Sequence, residues 1–124
     1  LKKYPEVKGI LGTSSFDAPG TARAIDELGL KGKVFTAGTG MPAANAQILK
    51  DGSVSALTLW DPANAGYAMA SLATKILRGD TIEDGVNLGV EGYENMHFSP
   101  GSTKVLEGNG WLKITQDNVD SLGF

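Results

Sequence analysis

The stretch VFTAGTGMPAANAQILKDGSVSALTLWDP, residues 34–62, decides the fold. Val34 to Ala37 is a short apolar run that reads as a strand. Gly38-Thr39-Gly40-Met41-Pro42 reads as a flexible loop ending in proline at a helix start, and Ala43 to Lys50 as an alanine-rich helix stopped by Asp51-Gly52. Val54 to Trp60 is the next strand, and Asp61-Pro62 repeats the helix-start signal. Strand and helix segments that alternate between Gly and Pro punctuation are the rhythm of βαβ units in a parallel sheet.

The same rhythm extends in both directions. Upstream, Val7 to Gly12, with Lys8 inside it and Tyr4-Pro5 before it, reads as a buried strand entered from a helix end. After the loop Thr13-Ser14-Ser15-Phe16, Asp17 suits an N-cap and Pro19 a first helical turn. Ala22, Ile25 and Leu28 then share one face of a helix over about 18–28. Gly29 followed by Leu30 fits a left-handed cap, and Lys31-Gly32-Lys33 turns into the next strand. Downstream, Ala65, Met69, Leu72, Ala73, Ile76 and Leu77 form a stripe that predicts a helix over 62–78 with that stripe packed inward and Gly79 ending it. Beyond Gly79, glycines punctuate short β-like pieces, with a turn expected at Gly108-Asn109-Gly110 and no further crossover helix.

Composition narrows the function. The chain has 124 residues, 41% hydrophobic and 20% charged, with 17 Gly, no Cys and a formal charge of −3. No run of Lys or Arg offers a footprint for phosphates, so nucleic acid is not an expected partner. The longest mostly apolar stretch, Ala65 to Leu77, falls short of the ~20 residues of a bilayer span, so no membrane insertion is expected. Without cysteine there are no disulfides, thiolate metal sites or Cys nucleophiles, and the compartment stays open on composition. The start at Leu1 reads as that of a mature product or a fragment.

Ligands of open α/β sheets bind beyond the carboxyl ends of the strands, which directs attention to Thr13–Asp17, Gly38–Met41 and Trp60–Asn64. These loops carry hydroxyls, bare backbone, aromatics and carboxylates, a mixture suited to a small polyol: polar groups bond its hydroxyls while an aromatic plane covers its C–H face. The candidates are Thr13, Ser15, Phe16, Thr39, Trp60 and Asp61. Each has a plainer reading: Ser14, Ser15, Asp17 and Asp61 as helix caps, Trp60 as core filler. Gly38-Thr39-Gly40 lacks the spacing of a dinucleotide loop and the Lys-Ser/Thr of a P-loop. His97 is the only histidine, so neither a Ser-His-Asp triad nor a multi-histidine metal site is available within the chain. Glu83-Asp84, Glu91 and Glu94 read as a solvated face. No cofactor, metal or catalysis is called for.

Tyr-Pro-Glu-Val-Lys-Gly-Ile-Leu at 4–11, Ala22-Arg-Ala-Ile through Gly29-Leu-Lys-Gly-Lys-Val34, Lys50-Asp-Gly-Ser-Val54, Leu59-Trp-Asp-Pro62 followed by Gly66-Tyr67, Gly108-Asn-Gly110 and Ile114-Thr-Gln-Asp-Asn-Val119 occur in order along the whole chain. Together they resemble the C-terminal part of periplasmic sugar-binding proteins of the ribose-binding type, in the branch that includes rhamnose-binding and autoinducer-2-binding proteins. The resemblance implies a three-layer α/β/α, mainly parallel sheet, as the C-terminal portion of a two-lobed type I periplasmic-binding-protein fold. It also implies an exported or lipid-anchored protein that delivers a sugar-like ligand to an ABC importer permease, with the N-terminal portion of the same protein completing the cleft. On that likeness residues 1–61 belong to one lobe, 62–90 to the other, and 91–124 form strands and a crossing tail. Thr13 and Ser15 fall at ligand-facing positions where autoinducer-2-binding members have Pro and Ala, which favours an aldose such as a deoxyhexose. Gly38 to Met41 lacks the Asp that ribose-type members place against the sugar. Two other classes remain in view: the effector domain of a sugar-responsive repressor, which would need a helix-turn-helix upstream, and a nucleotide-dependent enzyme.

Overall fold

Three strands and three helices alternate through the first half: β1 (Gly9–Leu11), α1 (Asp17–Glu27), β2 (Phe35–Thr39), α2 (Pro42–Lys50), β3 (Ala56–Trp60) and α3 (Pro62–Leu77). Only short strands follow, β4 (His97–Phe98), β5 (Leu106–Glu107) and β6 (Trp111–Ile114), before a 3-10 turn at Val119–Ser121. The structure is a computed structural model that describes residues 1–124. It divides into one unit of Leu1–Leu59 with Lys113–Phe124 and a second of Trp60–Leu112.

In the first unit β1 pairs with β2 and β2 with β3, both parallel, with Leu11 opposite Ala37 and Ala37 opposite Ala56. The sheet order is β1-β2-β3-β6. Right-handed crossovers that advance steadily across a sheet put successive helices on the same face. Accordingly α1 and α2 touch each other, and Thr36, Gly38, Leu57 and Leu59 are buried while their neighbours in the strands are more open. Leu49, Val54, Leu57 and Ile114 are the largest fully buried apolar side chains. The helices leave the other face bare, so the expected burial of β1 is not met: Leu11 is 78% exposed, and the residues before the strand form no helix.

Most of the local signals act as read. Gly29 adopts φ 65°, and the Leu30 amide donates to the Ile25 carbonyl at 2.9 Å, which closes α1 in a Schellman cap. Pro42 and Pro62 open α2 and α3, and Gly79 follows the last α3 turn at φ 81°. Two boundaries move. Asp17 is the first residue of α1 and not its cap, because Phe16 holds the cap position without a side-chain bond. Gly38 and Thr39 end β2 where a loop was expected, since a Cβ at Gly38 would stand 3.0 Å from the Gly12 carbonyl oxygen and 3.3 Å from Ala18 Cβ. The missing side chain lets strand and helix meet.

The chain end docks within the first unit. Lys50 Nζ reaches Asp120 at 2.6 Å, the Ala43 amide donates to the Phe124 carbonyl at 3.3 Å, and Asn118 bonds both the Thr115 amide and the Lys113 carbonyl.

The second unit packs α3 through Ala68 and Leu72 against Leu88, Met96, Val86, Val90, Tyr93 and Leu106. The stripe expected to face inward is mostly outside it: Met69, Ile76 and Leu77 are exposed, Leu77 by 87%. A helix that is apolar on several sides does not specify which side packs, and the residues of 86–106 select the face containing Ala68. Gly108 and Gly110 form no turn. A Cβ would lie 2.4 Å from Met96 Sδ at Gly108 and 2.7 Å from the Tyr93 ring at Gly110, so both are glycine because side chains press on the backbone there.

Two substitutions test this packing in the full-length protein. Gly38→Ala should lower stability by about 1–3 kcal/mol, read as an earlier thermal midpoint, because neither the Gly12 carbonyl nor the Ala18 helix can give way cheaply. Thr36→Val should hold or raise stability, by up to about 1 kcal/mol, because the buried Thr36 Oγ1 has no hydrogen-bond partner to lose.

Candidate functional site

The carboxyl ends of β1 and β2 hold four of the six candidates together. Gly12 continues β1 far enough for its amide to reach the Ala37 carbonyl at 2.9 Å, which brings Thr13 beside the end of β2, where Thr39 stands. The loop after Gly12 is held by Asp17. Its Oδ2 accepts the Thr13 and Ser14 amides, each at 2.9 Å, while Oδ1 accepts the Ser14 hydroxyl at 3.2 Å. Ser14 Oγ in turn accepts the Phe16 amide at 3.3 Å.

This clasp separates the serines by role. Ser14 is consumed inside the loop, whereas Thr13, Ser15 and Thr39 offer hydroxyls with no partner in the chain. Phe16 is 83% exposed beside them. The hydrogen bonds hold the Asp17 carboxyl below the ordinary carboxylate value, the Ser14 amide contributing most, then the Thr13 amide, then the Ser14 hydroxyl. Sequence reading placed Asp17 correctly as a binder of free amides but assigned it the wrong ones, those of the helix it begins.

The other two candidates lie in the second unit. Asp61 is the N-cap of α3: its Oδ1 accepts the Ala63 amide at 2.7 Å and the Asn64 amide at 3.3 Å, which leaves Oδ2 without a partner in the chain. The capping reading is correct, and it still leaves one carboxylate oxygen unused. Trp60 is not core filler. It is 43% exposed and meets Trp111 with ring centroids 5.4 Å apart and planes at 85°. Trp111, the chain's only other tryptophan, was not singled out from the sequence; a large aromatic just after two glycines, opening a strand, was the available signal.

A separate open cleft of about 500 Å³ in the second unit is lined by Glu94, Asn95, His97 and Glu107 among others. His97 Nδ1 lies 2.9 Å from Asp84 Oδ2, and Asn95 Nδ2 lies 2.9 Å from His97 Nε2. Asp84 also accepts the Phe98 amide, and its carboxyl is held low first by the His97 bond and then by that amide. Each of these groups is engaged in joining β4 to the segment before it. No group of three acidic or histidine side chains converges as a metal site.

Comparison with known proteins came out as follows. A family model described as a periplasmic binding protein domain matches residues 1–81. Among solved structures, a sugar ABC transporter protein from Actinomyces odontolyticus is 29% identical with a TM-score of 0.78, over 100% of this chain and 39% of that one. LsrB from Clostridium saccharobutylicum in complex with AI-2 is 21% identical with a TM-score of 0.70, over 100% of this chain and 42% of that one, a likeness of fold. GanP, a glucose-galactose binding protein from Geobacillus stearothermophilus, is 26% identical with a TM-score of 0.61, over 67% of this chain and 30% of that one. The chain thus spans about two fifths of the length of the first two.

The Asp17 clasp can be tested by carbon-detected titration. Its lowered pKa means that its stabilising contribution is present above the carboxyl's unfolded value and lost as pH falls through the lower folded one, so the midpoint should lie below about 3.9. Asp17→Ala should speed amide exchange at Thr13 and Ser14 while Ala22 and Ile25 stay protected.

Proposed function

The chain belongs to the periplasmic binding protein domain family, and from that premise we propose that it is part of the solute-binding component of an ABC importer. It binds a small sugar-like ligand without catalysis, in a periplasmic or extracellular setting, and hands it to a membrane permease. The observation that carries this reading is the set of three hydroxyls, Thr13, Ser15 and Thr39, gathered at the carboxyl ends of parallel strands with no partner inside the chain. Unpaired hydroxyls fixed by a rigid loop suit the donor and acceptor pattern of a polyol, and half-exposed Trp60 suits its C–H face. Asp61 Oδ2 adds a charged acceptor, the strong kind of partner for a sugar hydroxyl.

In this reading the two compact units are parts of two lobes, and closure of the lobes on ligand is the signal passed to the permease. The ligand is a rhamnose-like aldose. Structures of similar fold bind AI-2 in one case and are named for glucose and galactose in another, so both chemistries belong in the test. Hydroxyl side chains at Thr13 and Ser15 favour the aldose, whose ring presents more hydroxyls to pair with.

Calorimetry on the full-length protein with a panel of aldoses and AI-2 should find one aldose bound most tightly. Trp60→Ala should raise its Kd about tenfold or more and Ser15→Ala severalfold, with the thermal midpoint within a few degrees of wild type. Affinity untouched by both changes would remove these residues from the site. No heat with any sugar, together with a nucleotide-dependent rise in melting temperature, would overturn the function.

A further inference from the structure

Trp60 and Trp111 stand nearly perpendicular with centroids 5.4 Å apart, yet 43% of Trp60 and 56% of Trp111 remain exposed. An edge-to-face pair covers at most one face of one ring, so the contact leaves three of the four ring faces uncovered by the pair itself. Two large aromatics left half open side by side differ from scattered surface apolar residues, and such patches mark contact sites. Trp60 ends β3 immediately before the Asp61 cap, and Trp111 opens β6, the next strand in the sheet. Both rings therefore rest on regular backbone. The approach to Trp111 is further fixed by close packing: the space of a Cβ at Gly110 is filled by the Tyr93 ring at 2.7 Å, and that at Gly92 by Gly110 Cα, also at 2.7 Å. A wall held this way is preorganised, so little ordering free energy is spent when a ligand meets it.

We propose that Trp111 is a specificity-determining residue of the same ligand site, forming with Trp60 a two-walled aromatic corner that takes the C–H face of a sugar on one ring and an apolar ring substituent against the other. The inference rests on the sugar-binding reading above and extends it to a substrate class. Perpendicular apolar walls match a sugar that carries a methyl group beside its C–H face, a 6-deoxyhexose. The parent hexose replaces that methyl with a hydroxymethyl group, whose hydroxyl would lose water against indole carbon without gaining a partner there. An apolar site rejects an added hydroxyl by up to about a hundredfold.

The test uses the full-length protein and pairs of sugars that differ only by that hydroxyl, L-rhamnose with L-mannose and L-fucose with L-galactose. Wild type, Trp60→Ala, Trp111→Ala and Trp111→Phe are titrated by calorimetry, and the melting temperature of each is recorded. Wild type should bind the deoxy member of one pair at least severalfold more tightly than its parent. Trp111→Ala should weaken the deoxy sugar about tenfold and bring the ratio within the pair close to one, at an unchanged melting temperature, and Trp111→Phe should restore most of both. If Trp60→Ala weakens binding while Trp111→Ala changes neither affinity nor ratio, the corner is refuted and the sugar site stands. A Trp111→Ala variant that loses affinity equally within the pair, with a fall in melting temperature and no rescue by Phe, makes Trp111 structural and also refutes it. Absence of binding to every sugar refutes the function, and the corner with it.

Discussion

The contact of α1 with β2 at Gly38 is the constraint on which the candidate site depends. With only hydrogen on its α carbon, Gly38 lets the Gly12 carbonyl and Ala18 close in on the strand. That approach fixes where β1 stops, and hence where Thr13 emerges beside Thr39. The dipeptide that looked like part of a loose phosphate cradle is instead a strand end under compression. The hydroxyls it aligns owe their placement to a packing contact on the opposite side of the backbone.

A second theme is the use of short polar side chains to quiet backbone amides. Asp17 holds the amides of Thr13 and Ser14, Asp61 those of Ala63 and Asn64, and Asn118 that of Thr115. In each case a carboxylate or amide oxygen stills a loop or a helix start where the chain changes direction. The two aspartates fall at the segments proposed to meet ligand. Rigid loops hold their free groups in place, and the groups they leave free, Ser15 Oγ and Asp61 Oδ2, are then those available to a partner.

Glycine serves two purposes along this chain. Gly29 and Gly79 end helices in the left-handed region, where a Cβ would be strained. Gly108 and Gly110 are different: no left-handed angle is required of them, and they are bare because Met96 and Tyr93 occupy the space. The first kind is visible in a helical pattern that stops at glycine. The second is invisible in sequence, because Met96 and Tyr93 lie more than ten residues upstream of the backbone they press on.

What the sequence by itself determined was local: the alternation of strands and helices, the helix starts at Pro42 and Asp61-Pro62, the cap at Gly29-Leu30, and the hydroxyls and aromatics at strand ends. These follow from rules that act within a turn or two of backbone, and the order of quoted motifs along the chain led to the family. The tertiary structure alone decided which face of α3 is buried, since alanines and larger apolar residues on several sides of that helix left the choice to Leu88 and Met96. It also decided that α1 and α2 share one face of the sheet, that Asp17 binds the loop behind it, and that Trp111 stands at right angles to Trp60. Each of these depends on residues far apart in sequence meeting in space, and periodicity carries no information about the partner.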